Sequence, residues 1–168
     1  MRRSLLIAIT LLISIHCFAQ QELAFPFQGG NKVMIQFFKD SVKLSPQIMQ
    51  VKATGMVIFK FSADEKGNVK NLVIYYADDG NLARPIAEAL KKSNRKWIIP
   101  DNEKLHDFII PFMIRFNTSE NDNTETQTAL YNFYAKRKPI LSRDQIPLNL
   151  TTLLPAIVIS YDAEPGKN

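Results

Sequence analysis

The sequence predicts an α+β domain over residues 20–116, a small antiparallel sheet of about three strands packed by two helices. Three observations lead there. Residues 54–61 and 69–76 alternate apolar and mixed positions around a Gly-containing turn, the pattern of a hairpin. Residues 31–38 and 82–93 space their apolar side chains at three and four, the pattern of helices with one buried stripe. Phe108, Ile110, Phe112, Ile114 and Phe116 then share one parity, the strongest alternation in the chain.

Each element has a local reason. Gly29-Gly30 opens the first helix, where Val33 and Phe37, and Met34 and Phe38, fall four apart on one broad face. Ser45-Pro46 restarts the chain in a turn or short helical segment carrying Ile48 and Met49. Val57, Phe59 and Phe61 form the buried parity of the first strand. The turn Asp64-Glu65-Lys66-Gly67-Asn68 uses Gly67 for a positive φ. The return strand sets Leu72, Ile74 and Tyr76 on one side and Val73 and Tyr75 on the other.

Asp79 or Asn81 is expected to cap the second helix, Pro85 fits if it lies in the first turn, and Ile86, Ala87 and Leu90 form the stripe. Trp97-Ile98-Ile99-Pro100 is its apolar exit. Pro111 lacks the amide that a central strand donates, so its position is expected at an edge or a bulge.

After Phe116 the pattern thins. Residues 117–128 carry no large apolar side chain and read as a polar linker or exposed loop. Residues 129–168 read as a carboxy-terminal extension, with Leu130, Tyr131, Phe133 and Tyr134 in a short helix or strand. A last strand is expected near 156–161. Two arrangements stay open for this extension, docked on the module or an independent unit.

The amino terminus reads as an address. Arg2 and Arg3 precede the apolar run Leu5 to Ile15, and Cys17 and Ala19 stand at the positions that define a cut after Ala19. The run is shorter than the roughly 20 apolar residues of a membrane-spanning helix. Residues 1–19 are therefore expected to be a cleaved signal peptide for the periplasm, in preference to an uncleaved anchor or to lipid attachment at Cys17, which bulky His16 precedes. No integral membrane segment is expected in the mature chain.

Loss of Arg2 and Arg3 from the 21 Lys and Arg leaves 19 against 16 Asp and Glu, a mild and scattered excess that makes no case for nucleic acid. The single cysteine would leave with the leader, which excludes thiol nucleophiles, redox pairs and cysteine zinc sites.

Catalytic constellations are not evident. His106 would be the one histidine of the mature chain and reads as a surface or partly packed residue. Ser45, His106 and Asp107 have no motif that positions them as a triad. Asp78-Asp79 sits in a turn and helix cap, and the Asp64 turn lacks the ligand spacing of a calcium loop. Lys136-Arg137-Lys138, near Tyr131 and Tyr134, reads as a solvated charge run, with anionic lipid or envelope polymer as the functional alternative. The expectation is a protein that is not an enzyme and has no cofactor and no metal.

Residues 29–116 resemble the TonB carboxy-terminal domain family in its Bacteroidetes-like form. The resemblance is carried by Gly29-Gly30 before Phe37-Phe38, by Pro46 before Gly55, and by Gly55-Met56-Val57 leading to Phe59 and Phe61. It continues through the Gly67-Asn68-Val69 turn, Glu88-Ala89-Leu90, Trp97 with Pro100, and Pro111 before Phe116. Gly55, Gly67, Trp97 and Pro111 are its structural positions. Ser45 stands where the family usually has tyrosine, and two residues separate Trp97 from Pro100 where one is usual.

The resemblance implies a non-catalytic binding module of transmembrane transport systems that captures the amino-terminal peptide of an outer-membrane receptor as an added strand. The final strand of the module is the expected edge, with Ile109, Met113 and Arg115 as partner-binding residues. The family's transducers have a membrane anchor and a long spacer, which this chain, reaching Gly29 soon after the leader, is not expected to have. The alternative is therefore an envelope structural or assembly protein that keeps the fold without energy transduction. A tail strand on the exposed edge, or a homodimer through it, would each cover the site.

Overall fold

The computed structural model describes residues 25–118, 124–143 and 151–162. The expected leader and its cut after Ala19 lie outside the described residues. In chain order the elements are α1 (Gly30–Ser41), α2 (Pro46–Gln50), β1 (Gly55–Asp64), β2 (Val69–Ala77), α3 (Gly80–Lys92), β3 (Leu105–Phe116), α4 (Thr124–Lys136), β4 (Ile140–Leu141), β5 (Thr152–Leu153) and β6 (Ile157–Tyr161). The class is α+β, but the sheet is mixed and six-stranded, with order β4-β2-β1-β3-β5 and β6 also on β3. The expectation of about three strands and two helices is too small, because Pro46–Gln50 forms the short helix α2 and the carboxy-terminal region adds α4, β4, β5 and, as β6, the last strand expected near 156–161.

The core lies between the sheet and the helices α1 and α3. Val57, Phe59 and Phe61 of β1 and Phe108, Ile110, Phe112 and Ile114 of β3 are fully buried beside Met34, Phe38, Leu82, Ile86 and Leu90. Val33, expected with them on α1, is exposed instead, while Phe37 is half-buried. The helix turns Met34 and Phe38 inward, and Val33 falls beyond the edge of that stripe. Trp97 joins the ends of the module. Its ring packs on Phe61 at 4.6 Å, Phe27 at 5.1 Å and Phe108 at 5.3 Å, and its Nε1 donates to Ser93 Oγ at 2.9 Å. A buried indole thus fills space and satisfies its one donor.

Two glycines are there for close approach. At Gly67, with φ 74°, an added Cβ would stand 2.6 Å from the Trp97 carbonyl oxygen. The turn around it is held by the Asp64 carboxylate, which accepts from the Asn68 amide at 2.8 Å and the Lys66 amide at 3.0 Å. The hydrogen bonds from Asn68 lead the effects that hold the Asp64 carboxyl below its ordinary value. At Gly55 a Cβ would meet Asp78 Cβ at 2.8 Å, where Asp78 Oδ2 accepts the Met56 amide at 2.7 Å.

β2 does not keep simple alternation. Its register with β1 shifts between Ile58 and Phe59 and again between Lys60 and Ser62. Each shift places an extra residue in β2, and Asn71, in the second, has φ 48°. Ile74 therefore pairs with core-facing Phe59, whereas Tyr76 pairs with Ile58 on the opposite face. The expected grouping of Tyr76 with Leu72 and Ile74 fails because a bulge exchanges the faces.

Asp79, not Asn81, caps α3, its Oδ1 accepting the Asn81 amide at 2.8 Å. Pro85 lies inside the helix, past the first turn where it was expected, and gives up one helical amide there. The buried stripe is Leu82, Ala83, Ile86, Ala89 and Leu90, with Ala87 only half-buried.

The expected linker over 117–128 is corrected in its second part, since α4 begins at Thr124. Residues 124–128 form its amino-terminal part, where Thr126 is buried. The tail docks: Leu154, Ile157 and Ile159 belong to the same buried cluster as the module.

Candidate functional site

β3 is the strand on which the expected partner-binding residues fall, and the structure gives it neighbours on both sides. β1 pairs antiparallel along its whole length. On the other side, Phe108 and Ile109 pair in parallel with Thr152 and Leu153, and Phe112 to Phe116 pair with Ile157 to Tyr161. Ile109 therefore lies opposite Leu153, Met113 opposite Val158 and Arg115 opposite Ser160. Ile109 and Met113 are half-buried and Arg115 is exposed. The expected open edge is thus filled by the chain's own tail.

Pro111 explains why that filling comes in two pieces. Ile109 O accepts from Leu154 N at 2.8 Å, and the Asn117 amide donates to Tyr161 O at 2.9 Å, so odd-numbered residues of β3 direct their main chain at the tail. Pro111 has the same parity and no amide to offer. Neither parallel register includes it, and Pro155 and Ala156 cross the gap between β5 and β6. Proline therefore sits in a doubly flanked strand, neither at an edge nor at a bulge of β3, because the one hydrogen bond it cannot make falls where the tail breaks.

The docking of β6 is both apolar and polar. Tyr161 Oη donates to Ala53 O at 2.9 Å and its ring meets Phe116 at 5.5 Å. Burial pushes the Tyr161 hydroxyl pKa well above its ordinary value.

The groups considered for a triad are held apart. Ser45 Oγ accepts the Ile48 amide and caps α2. His106, read as a surface or partly packed residue, is buried, with Nδ1 2.6 Å from Glu103 Oε2 and Nε2 2.7 Å from Thr152 Oγ1. It gains that environment because β5 lies over it. Asp107, on the other face of β3, accepts from Ser62 Oγ at 2.7 Å and pairs with Lys60 Nζ at 3.1 Å.

The Lys60 side chain is only 5% exposed, and the contact is an ion pair without good hydrogen-bond alignment. Burial acts to raise the Asp107 pKa, but the hydrogen bond from Ser62 and the adjacent Lys60 ammonium outweigh it, leaving the carboxyl below its ordinary value. Among the described residues no group of three or more His, Cys, Asp or Glu side chains is placed to hold a metal ion, and no helix is long and apolar enough to cross a membrane.

A cleft of about 1360 Å³ opens between α2, α3 and α4. Sequence reasoning missed it, although Arg84, Glu88 and Lys92 at four-residue steps mark one wall and the Lys136-Arg137 pair the other. Comparison with protein-family models, with curated proteins and with solved structures finds no match for this chain.

Proposed function

We propose that this chain is a non-catalytic periplasmic protein of the cell envelope, a binding or assembly module that keeps a core like the TonB carboxy-terminal domain without energy transduction. One observation carries the reading. The β3 edge, which the resemblance would assign to a receptor peptide, is paired with β5 and β6, and the tail buries Leu154, Ile157 and Ile159 in the common core. Each such aliphatic side chain is worth roughly 1.5–3 kcal/mol in transfer from water, so an incoming strand would have to replace substantial apolar burial as well as hydrogen bonds.

A second reading keeps receptor-peptide capture by strand addition at Ile109, Met113 and Arg115, after the tail has left. The two-part register and the exposure of Leu153 and Val158 favour it, because a strand paired in short runs peels from its weaker end.

Calorimetric titration of the whole protein with synthetic peptides from the amino-terminal ends of outer-membrane receptors separates the two. The first reading predicts no heat of binding, both for the natural chain and for Ile159→Pro, which removes a tail amide directed at β3. Saturable binding by the natural chain overturns it. Binding that appears only in Ile159→Pro selects the second reading.

A further inference from the structure

The cleft between α2, α3 and α4 carries more positive charge than the fold uses. Five cations line it, Lys43, Arg84, Lys92, Lys136 and Arg137, against the carboxylates of Asp79 and Glu88. Both carboxylates are engaged. Asp79 caps α3 through Oδ1 and accepts the Lys138 amide through Oδ2 at 2.9 Å, and Glu88 pairs with Lys91 at 2.9 Å. Of the cations, Arg137 pairs with Asp78 at 3.2 Å. The side chains of Lys43, Arg84, Lys92 and Lys136 make no hydrogen bond or ion pair with a described residue. Arg84 and Lys92 act on Glu88 only through charge, adding to the Lys91 hydrogen bond that holds its carboxyl below the ordinary value.

The rest of the lining is not that of a plain cationic surface. Val51, 45% exposed, and half-buried Phe133 provide an apolar floor, while Gln47, Gln50 and Asn132 offer both donors and acceptors. Arg84 to Lys92 spans about 12 Å of helix, the length of about four residues of extended chain. A peptide with acidic side chains uses all three components: cations for its carboxylates, amides for its main chain, and the floor for an apolar side chain. A uniform anionic polysaccharide would leave the floor unused.

We infer that this cleft is a docking groove for an acidic peptide segment of a partner protein, with Arg84, Lys92 and Lys136 receiving its carboxylates and Val51 and Phe133 an apolar side chain. The groove does not involve the β3 edge, so it stands whichever way receptor-peptide binding is resolved.

The test is fluorescence anisotropy of the whole protein with a labelled peptide alternating glutamate and leucine, beside its glutamine counterpart and an oligogalacturonate. Saturable binding of the acidic peptide is expected. It weakens by about tenfold or more in Arg84→Glu/Lys136→Glu and for the glutamine peptide, weakens in Phe133→Ala, and stays unchanged in Lys32→Glu on α1. Melting curves check folding, and Arg84→Gln/Lys136→Gln repeats the test if the charge reversal unfolds the protein. Absence of saturable binding overturns the inference. So does an equal loss in Lys32→Glu, which would report net charge alone, or oligogalacturonate binding as tightly as the peptide, which would make the cleft a polysaccharide surface.

Discussion

β6 and α4 both come after β3 in the chain, yet they hold to the module by different physics. β6 sets Ile157 and Ile159 into the core at 0% and 6% exposure and lays five residues along β3. α4 buries only Thr126 and leaves Tyr131 and Tyr134 exposed, with Phe133 partly packed on the core. Its carboxy-terminal end is tied by polar contacts: Arg137 to Asp78, the Lys138 amide to Asp79, and the short β4 strand to β2. A strand buried on one face becomes part of the fold. A helix with one buried side chain and polar ties at its carboxy-terminal end adds little to the core, and here it forms one wall of the basic cleft.

Breaking the apolar side of this contrast has the largest expected effect. Ile157→Ala removes a fully buried side chain and is predicted to cost about 2–5 kcal/mol in urea unfolding of the whole protein. A cost below 1 kcal/mol would mean that the tail is loosely docked and would strengthen the receptor-capture reading. Asp79→Ala is intermediate. It removes the α3 cap and an anchor of the segment after α4 together, for about 1–2 kcal/mol, with faster hydrogen exchange expected at the Lys138 amide. Arg137→Ala is the smallest, because its ion pair with Asp78 is solvent-accessible on the arginine side. Less than about 1 kcal/mol is expected, diminishing further in high salt. If Arg137→Ala proved as costly as Ile157→Ala, the distinction between an integral strand and a tethered helix would collapse.

The residues that were easy to read are those whose environment is set locally. Phe108, Ile110, Phe112 and Ile114 repeat at two and are buried, and Gly67 stands in the turn that its neighbours announce. Asp79 caps α3, one of the two residues that the sequence offers for that place. Reading failed where a residue's surroundings come from far along the chain. His106 appears ordinary until Thr152 arrives on it, and Pro111 suggests an edge until the break between β5 and β6 is seen to match its missing amide. The β2 bulges leave no mark in the apolar pattern, yet they decide which face Tyr76 occupies. Of the candidate site, the sequence shows the parity of Ile109, Met113 and Arg115 but not what pairs beside them.

By itself, then, the sequence determined the α+β class, the order helix, strand, strand, helix, strand, and the apolar parity of β1 and β3, since period and capping chemistry act between near neighbours. Only the tertiary structure decided that β3 lies inside a mixed sheet, that the tail closes its edge, and that α3 and α4 face each other across a basic cleft. Those outcomes depend on loop closure and on burial shared between distant segments, and no window of neighbouring residues contains either quantity.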